Sequence, residues 1–286
     1  MGFDKETVTS SQNKYVSLVR SLTNKKIREK EKLFRFDGVK LMCEAIKKGV
    51  KIDFMLVSES EWASVLNKAY ELYGIDGKSI NCPVIPAAEH IFAKLSEEMA
   101  PEGVICVAKY ASNMHEEIDE NELCVADKSE KILLLESVRD PQNVGAIVRV
   151  AAAFGVDRIV ISSDCADIYN SKTIRASMGT VFGMRIDRVK DIALATACLR
   201  RAGRRVFAAA LDRDAKKLGR FDIELGDCII IGNEGHGLSD RAIAACDGSV
   251  YIPMAEQVES LNAATAAAVL VWEFFGSSLP EKEDSV

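Results

Sequence analysis

The chain has 286 residues, 48% of them hydrophobic and 28% charged, with a formal net charge of −6. That length suggests two domains, since domains usually run about 100–150 residues, and the composition is that of a globular protein with sizeable cores. A membrane span is excluded: the longest apolar stretch, Ala263 to Trp272, is broken by Thr265 and falls far short of the roughly 20 residues a spanning helix needs.

Residues 1–12 are polar and read as a disordered tail that lacks the apolar core of a signal peptide, so a cytoplasmic protein is expected. The stretch Asn13 to Lys32 has a helical, strongly basic pattern, with Lys14, Arg20, Lys25, Lys26, Arg28, Lys30, Lys32 and Arg35 crowded around only Glu29 and Glu31. Such a patch can hold phosphates despite the negative total charge, or can be a solvated helix face. After the break at Phe36-Asp37-Gly38, the spacing of Val39, Met42, Ala45 and Ile46 predicts an amphipathic helix ending at Gly49. Asp53–Val57 reads as a buried strand, and Ser58 with Glu61 fits a capping box opening a helix that carries Trp62, Val65, Leu66, Ala69 and Leu72. Pro83–Ile85 is a short strand, Ile91–Leu95 a helical turn or two, and Gly103–Ala108 another strand. This alternation describes a small α/β sandwich over residues 13–114. The acidic residues that follow suggest a linker over 115–130.

Residues 131–278 repeat the rhythm more strongly. Strands are expected at Ile132–Leu135, Arg158–Ile161, Val206–Leu211, Cys228–Ile231 and Val250–Ile252. Helices are expected at Val144–Phe154, Asp187–Arg201, Ser239–Ala245 and Leu261–Phe275, with Gly155 and Gly203 as C-terminal stops and an acidic tail over 279–286. Near-continuous apolar strands of this kind belong to a parallel sheet covered on both faces. The eight cysteines form no C-x-x-C pair and the three histidines no cluster, so reduced thiols and no metal are expected. No G-x-G-x-x-G follows the first strand of this half, which disfavours a nicotinamide-dependent oxidoreductase.

The stretch that organises this half is Gly232-Asn233-Glu234-Gly235-His236-Gly237-Leu238-Ser239, between an apolar strand and a helix with Ser239 as N-cap. Glycines after a buried strand let a backbone approach a ligand. Two further stretches flank it. Before it stands Glu136-Ser137-Val138-Arg139-Asp140-Pro141-Gln142-Asn143-Val144-Gly145-Ala146-Ile147-Val148-Arg149. After it come Ile252-Pro253-Met254 and Glu259-Ser260-Leu261-Asn262-Ala263-Ala264. Together with Arg175-Ala176-Ser177-Met178-Gly179, these motifs resemble the SpoU (TrmH-type) family of RNA ribose 2′-O-methyltransferases, of the SPOUT class. One departure stands at Ala255-Glu256-Gln257, where the family often carries a small residue and a glycine. The first half is similar, on Phe34-Arg35-Phe36-Asp37-Gly38, to the ribosomal-protein-like RNA-binding domain that many of these enzymes carry.

The resemblance implies a five- or six-stranded parallel sheet with a trefoil knot, S-adenosylmethionine as methyl donor, no metal, and a homodimer. It implies cofactor contacts at Leu211, Gly232, Ile252 and Leu261. It assigns catalysis to Arg149, with Asn143, Glu234, Ser260 and Asn262 beside it. Arginine is a poor base, so orienting the 2′-hydroxyl and stabilising the emerging alkoxide is its expected role; a salt bridge to Glu234 is the alternative. Lys25, Lys26, Arg28 and Arg35 are candidates for phosphate contact. Ribosomal RNA is the expected substrate, with transfer RNA, or a non-catalytic RNA-binding protein, as alternatives.

Overall fold

The computed structural model describes residues 6–114, 116–233, 235–255, 257–258 and 260–276. In chain order the elements are α1 (Lys14–Ser21), α2 (Lys25–Glu31), β1 (Leu33–Asp37), α3 (Val39–Lys47), β2 (Ile52–Ser58), α4 (Trp62–Tyr73), β3 (Val84–Ala87), α5 (Glu89–Phe92) and β4 (Val104–Lys109). There follow β5 (Glu116–Glu117), β6 (Ile132–Leu135), α6 (Pro141–Ala153), β7 (Arg158–Ser162), α7 (Ser171–Ala176), β8 (Arg185–Val189), α8 (Ile192–Arg201), β9 (Val206–Ala209), β10 (Lys216–Lys217), β11 (Cys228–Ile231), α9 (Asp240–Ala245), β12 (Gly248–Tyr251) and α10 (Ala263–Phe275). They fall into two compact units, Met1–Ser112 with Asp167–Gly183, and Asn113–Ala166 with Met184–Val286.

The first unit holds a four-stranded sheet in the order β1-β4-β2-β3. Its core packs Val16, Val19 and Leu22 of the N-terminal helix region against Phe54, Leu56, Ile85, Ile105 and Val107. The expected basic helix is two helices, each capped by an asparagine side chain: Asn13 accepts from the Tyr15 N–H and Asn24 from the Lys26 N–H. Residues 6–12 are not a loose tail, because Val8 is buried and pairs in parallel with Ala87, donating its N–H to the Pro86 carbonyl and accepting from the Ala88 N–H. The capping box at Ser58 is not formed. Ser58 ends β2, its hydroxyl bonds that of Ser60, and Glu61 takes the N-cap position without a side-chain bond.

Asp167–Gly183, from the middle of the second half of the chain, belongs to this unit. Tyr169 stacks on Tyr110 at 3.6 Å and lies 4.9 Å from Phe34, while Phe182 lies 5.0 Å from Phe36. The family-like stretch Arg175–Gly179 lies here, with Gly179 so close to Glu44 that a Cβ would stand 2.8 Å from it. The short helix α7, within Asp167–Gly183, has too few turns to show a period in the sequence.

The second unit is an eight-stranded sheet, β10-β12-β9-β11-β6-β7-β8-β5, parallel at every junction. Two edge strands of two residues each extend the five or six expected. Alternate side chains on the central strands point to opposite faces. Ile132, Leu134, Val160, Val206, Ala208 and Ile230 share one core with α8 and α9. On the other side α6 and α10 pack together, with α10 against β11. The expected linker is structured: Ile118 and Leu123 are buried, and Asp119 and Glu122 form a capping box on a 3-10 helix at Glu120–Val125. The helix expected from Asp187 begins at Ile192, capped by Asp191, because residues 185–189 form β8. There the buried Asp187 is held by Arg158 and Arg185. The tail 279–286 lies outside the described residues.

Burial raises the pKa of seven of the thiols, Cys106 and Cys165 among them. It pushes Cys43, Cys82, Cys198 and Cys228 up to about 11 and Cys246 up to about 12, so these cysteines act as small apolar groups.

Candidate active site

Three neighbouring parallel strands, β12, β9 and β11, end at one edge of the second sheet. Residues from the segments that follow them, 209–211, 231–237 and 251–261, line a cavity of about 730 Å³, with Ala263, Ala266 and Leu270 of α10 completing the wall. Strand ends of a parallel sheet are where α/β proteins place ligands, and small-molecule sites span about 300–1,000 Å³. Among the described lining residues none has a charged side chain. The wall is mostly apolar side chains and glycine-rich backbone, with Asn233, Tyr251 and Ser260 as its polar side chains, so it offers hydrogen-bonding groups without charge.

The glycine loop is tied into a closed turn. Asn233 and Gly237 exchange backbone hydrogen bonds, each 3.0 Å. The Asn233 carboxamide oxygen accepts from the N–H groups of Gly235 (2.8 Å) and His236 (3.2 Å), and its amide nitrogen donates to the Ser137 carbonyl (2.8 Å). Gly237 sits at φ +68°, where glycine is least strained. Gly232 is needed for a reason different from room for a ligand. A Cβ there would stand 2.5 Å from the Gly237 carbonyl carbon and 2.6 Å from the Leu238 nitrogen. At the far end of the loop, the buried Glu136 carboxylate accepts from both the N–H (2.8 Å) and the hydroxyl (2.7 Å) of Ser239, whose hydroxyl in turn accepts from the Ala242 N–H and caps α9.

The four residues expected to hold the cofactor, Leu211, Gly232, Ile252 and Leu261, all line this cavity, and Ser260 does too. Asn143 and Asn262, 119 residues apart, meet directly: the Asn262 amide donates to the Asn143 carboxamide oxygen at 3.0 Å. Asn262 also N-caps α10, accepting from the Ala264 and Thr265 N–H groups. Asn143 is not the N-cap of its helix. Asp140 is, with Pro141 in the first turn, so Asn143 sits one turn in and is buried. Glu234 lies outside the described residues, as do Glu256 and Glu259.

Arg149 is exposed, not buried, and among the described residues it has no hydrogen-bond or ion-pair partner. Its guanidinium is therefore available to a ligand. Arg28 and Arg35 are the reverse and are removed from the RNA-contact set. Arg28 is 4% exposed, donates to the Leu22 and Thr23 carbonyls and pairs with Asp167 at 2.6 Å. Arg35 is 2% exposed and pairs with Asp37 at 2.7 Å. Lys25 and Lys26 are exposed.

Sequence reasoning missed Ala209, Tyr251, Met254 and Val258 on the cavity wall, and the locking roles of Asn233 and Glu136. Ala209, Tyr251 and Met254 were within reach, since each sits at or just after a strand already expected; Val258 lies further along the loop. The locks were not, because they join segments about a hundred residues apart.

The sequence profile of the SpoU rRNA Methylase family matches residues 130–272, half of the chain, and that of an MRM3-like substrate binding domain matches residues 13–106. The chain is 29% identical over 270 residues to the Bacillus subtilis 23S rRNA (guanosine(2553)-2′-O)-methyltransferase RlmP, covering 94% of this chain and 99% of that one. An AdoMet-bound rRNA methyltransferase from Sinorhizobium meliloti superposes with a TM-score of 0.79 at 26% identity, covering 96% of this chain and 99% of the other. The SpoU methyltransferase AviRb from Streptomyces viridochromogenes, also solved with AdoMet, superposes with a TM-score of 0.76 at 25% identity over 93% and 98%. With the Gly232–Leu238 and Ile252–Leu261 stretches lining one strand-end cavity and half its length matched, the chain belongs to the SpoU rRNA methylase family.

Proposed function

We propose that this protein methylates a ribose 2′-hydroxyl in ribosomal RNA of the 23S type, using S-adenosylmethionine, and that it works as a homodimer. When bound, S-adenosylmethionine would supply an electrophilic methyl on a positively charged sulfur: the ribose oxygen would take the methyl, S-adenosylhomocysteine would leave, and the hydroxyl proton would pass to water. The cavity suits such a group by size, by its apolar walls and by the backbone hydrogen-bonding groups of two loops. Leu211, Ile252 and Leu261 would enclose it, Gly232 keeps the glycine loop closed behind it, and Ser260 offers a hydroxyl at the wall. The trefoil threading that the family implies belongs to this reading.

The observation that carries the proposal is the Asn143–Asn262 hydrogen bond. It joins the start of α6, which carries Arg149, to the residue that follows the cavity-lining Leu261. Arg149 would hold the target phosphate and the 2′-oxygen in line, stabilising the alkoxide as it forms. Glu234 is the proposed partner that orients Arg149 or the loop. Lys25 and Lys26 would position the RNA through phosphates without reading sequence. The ribosomal substrate follows the named activities of two relatives that cover 94% and 93% of this chain, both 23S rRNA 2′-O-methyltransferases. The homodimer is supported by exposed apolar groups on α10, Val269 and Trp272, with Trp272 edge-on to Phe154 of the adjoining α6 region at 5.3 Å.

The test is transfer of labelled methyl from S-adenosylmethionine to separated ribosomal and transfer RNAs, with Arg149→Ala in parallel. Label at a ribose in ribosomal RNA, reduced about a hundredfold in the variant, is expected for a lost catalytic group. Label in transfer RNA alone would overturn the substrate. No transfer and no cofactor binding would leave an RNA-binding protein.

A further inference from the structure

A chain of hydrogen bonds reaches the cavity wall from a carboxylate outside it. Asp164, in the turn after β7, accepts from the Ser162 hydroxyl on Oδ1 (2.7 Å) and from both the Ser137 hydroxyl and the Arg139 guanidinium on Oδ2 (2.8 Å each). The Ser162 hydroxyl also accepts the Ser137 N–H at 2.9 Å. Ser137 is thus gripped at both its backbone nitrogen and its side chain. It needs such a grip, because its φ is +55°, a left-handed conformation that non-glycine residues avoid.

That conformation has a consequence at the next link. The Ser137 carbonyl accepts from the Asn233 amide nitrogen at 2.8 Å. A carboxamide has one donor end and one acceptor end, so engaging the nitrogen on Ser137 turns the oxygen toward the glycine loop, where it takes the Gly235 and His236 N–H groups. Gly232, Asn233, Gly235 and Gly237 all line the cavity. Consecutive residues therefore hold the two ends of this wall, Glu136 through Ser239 and Ser137 through Asn233. Asp164 is not itself a lining residue. Its side chain is 41% exposed and it adds nothing to the apolar core.

We propose that Asp164 is a positioning residue for the cofactor: acting through Ser137 and Asn233, it sets the shape of the Gly232–Gly237 wall and hence the affinity for S-adenosylmethionine. This rests on the reading that the cavity holds that cofactor.

The experiment is a double-mutant cycle in the full-length protein, with S-adenosylhomocysteine as the probe and its dissociation constant measured calorimetrically. Asp164→Asn loses the charge-assisted bonds and is expected to weaken binding about tenfold. Ser137→Ala, which keeps the backbone and removes only the hydroxyl, should do the same. In the Asn233→Ala background, Asp164→Asn should change affinity less than about twofold, since the link it acts through is gone. In methyl transfer the KM for S-adenosylmethionine should rise while kcat stays within about twofold. Wild-type affinity in Asp164→Asn and in Ser137→Ala would overturn the proposal. So would a lowered melting temperature with unchanged affinity, or losses that multiply independently in the double variant. Failure of the wild type itself to bind S-adenosylhomocysteine would overturn the cofactor reading, and this proposal with it.

Discussion

Arg28 holds its guanidinium inside the protein, on two carbonyls at the end of α1 and on Asp167. Removing it leaves a largely buried carboxylate and two carbonyls short of a donor. Arg28→Ala is expected to lower stability by about 3–5 kcal/mol, the range for one partner of a buried pair, as read from a urea melt. Arg149 is the converse. With no internal partner among the described residues, Arg149→Ala should leave the urea midpoint nearly in place, within about 0.5 kcal/mol, while methyl transfer collapses. An equal loss of stability in both variants would mean that exposure does not separate their roles. The exposed Lys25 and Lys26 predict a third behaviour, a shallower dependence of RNA affinity on salt, by up to about one unit of log–log slope for each alanine. Asp164 adds a pH dependence. Burial raises its pKa, but hydrogen bonds from Arg139, Ser162 and Ser137 more than offset this and hold it at about 2. A carboxylate held below its usual value stabilises the fold at pH above about 4, and that contribution fades as pH falls toward 2. The stability gap between wild type and Asp164→Asn should therefore shrink between pH 4 and about 2 in acid melts; a gap that stays constant would show the carboxylate charge to be irrelevant.

Elements whose sequences carry a complete pattern lie where that pattern puts them. Ile132–Leu135 and Cys228–Ile231 are runs of buried apolar residues and form strands with those bounds. Ser239 caps α9 as its type and place suggest. The misreadings are local patterns that a neighbour overrides. Asp187-Arg188-Val189 reads as a helix start until Arg158, on the next strand, meets Asp187. Ser58-Glu59-Ser60-Glu61 has the letters of a capping box, yet Ser58 is the last residue paired in β2. At the site, the wall residues at the ends of apolar strands were legible. The contacts that close the loop were not, because they depend on which strand lies beside which. Gly232 shows the difference: its type suggested room for a ligand, whereas a Cβ at that position would stand 2.5 Å from the Gly237 carbonyl carbon. Gly232→Ala should consequently open the loop and abolish S-adenosylhomocysteine binding even though the new methyl adds little bulk. Asn262→Ala should lose both the cap on α10 and the bridge to Asn143, costing about 1 kcal/mol for the cap alone and more in turnover than in cofactor affinity. Retained binding in the glycine variant, measured calorimetrically, would show that the loop can yield.

At the scale of the whole molecule, the boundary in sequence and the boundary in space do not coincide. A cut after Ser112 looks like a clean separation of two halves, and the cavity is built wholly from residues beyond it. Yet Tyr169, Ile174 and Phe182, which belong to the unit formed by the first half, are 1%, 0% and 2% exposed in the full chain. Phe34 and Phe36 of β1 and Tyr110 supply the aromatic rings around Tyr169 and Phe182. A fragment of residues 113–286 would leave these side chains in water. Two aromatic rings and an isoleucine amount to about 400 Å² or more of newly exposed apolar surface, a patch large enough to drive association. The expected fragment binds S-adenosylhomocysteine through its intact cavity but binds the dye ANS and aggregates at concentrations where the full chain stays soluble. Replacing Tyr169 and Phe182 with serine in the fragment should restore solubility without changing cofactor affinity. The same pair of replacements in the full chain should instead destabilise it, because there those rings are core. A soluble, ANS-silent fragment would show that residues 167–183 find other cover when the first half is absent, and that the aromatic packing around Tyr169 is incidental to holding the second half in solution.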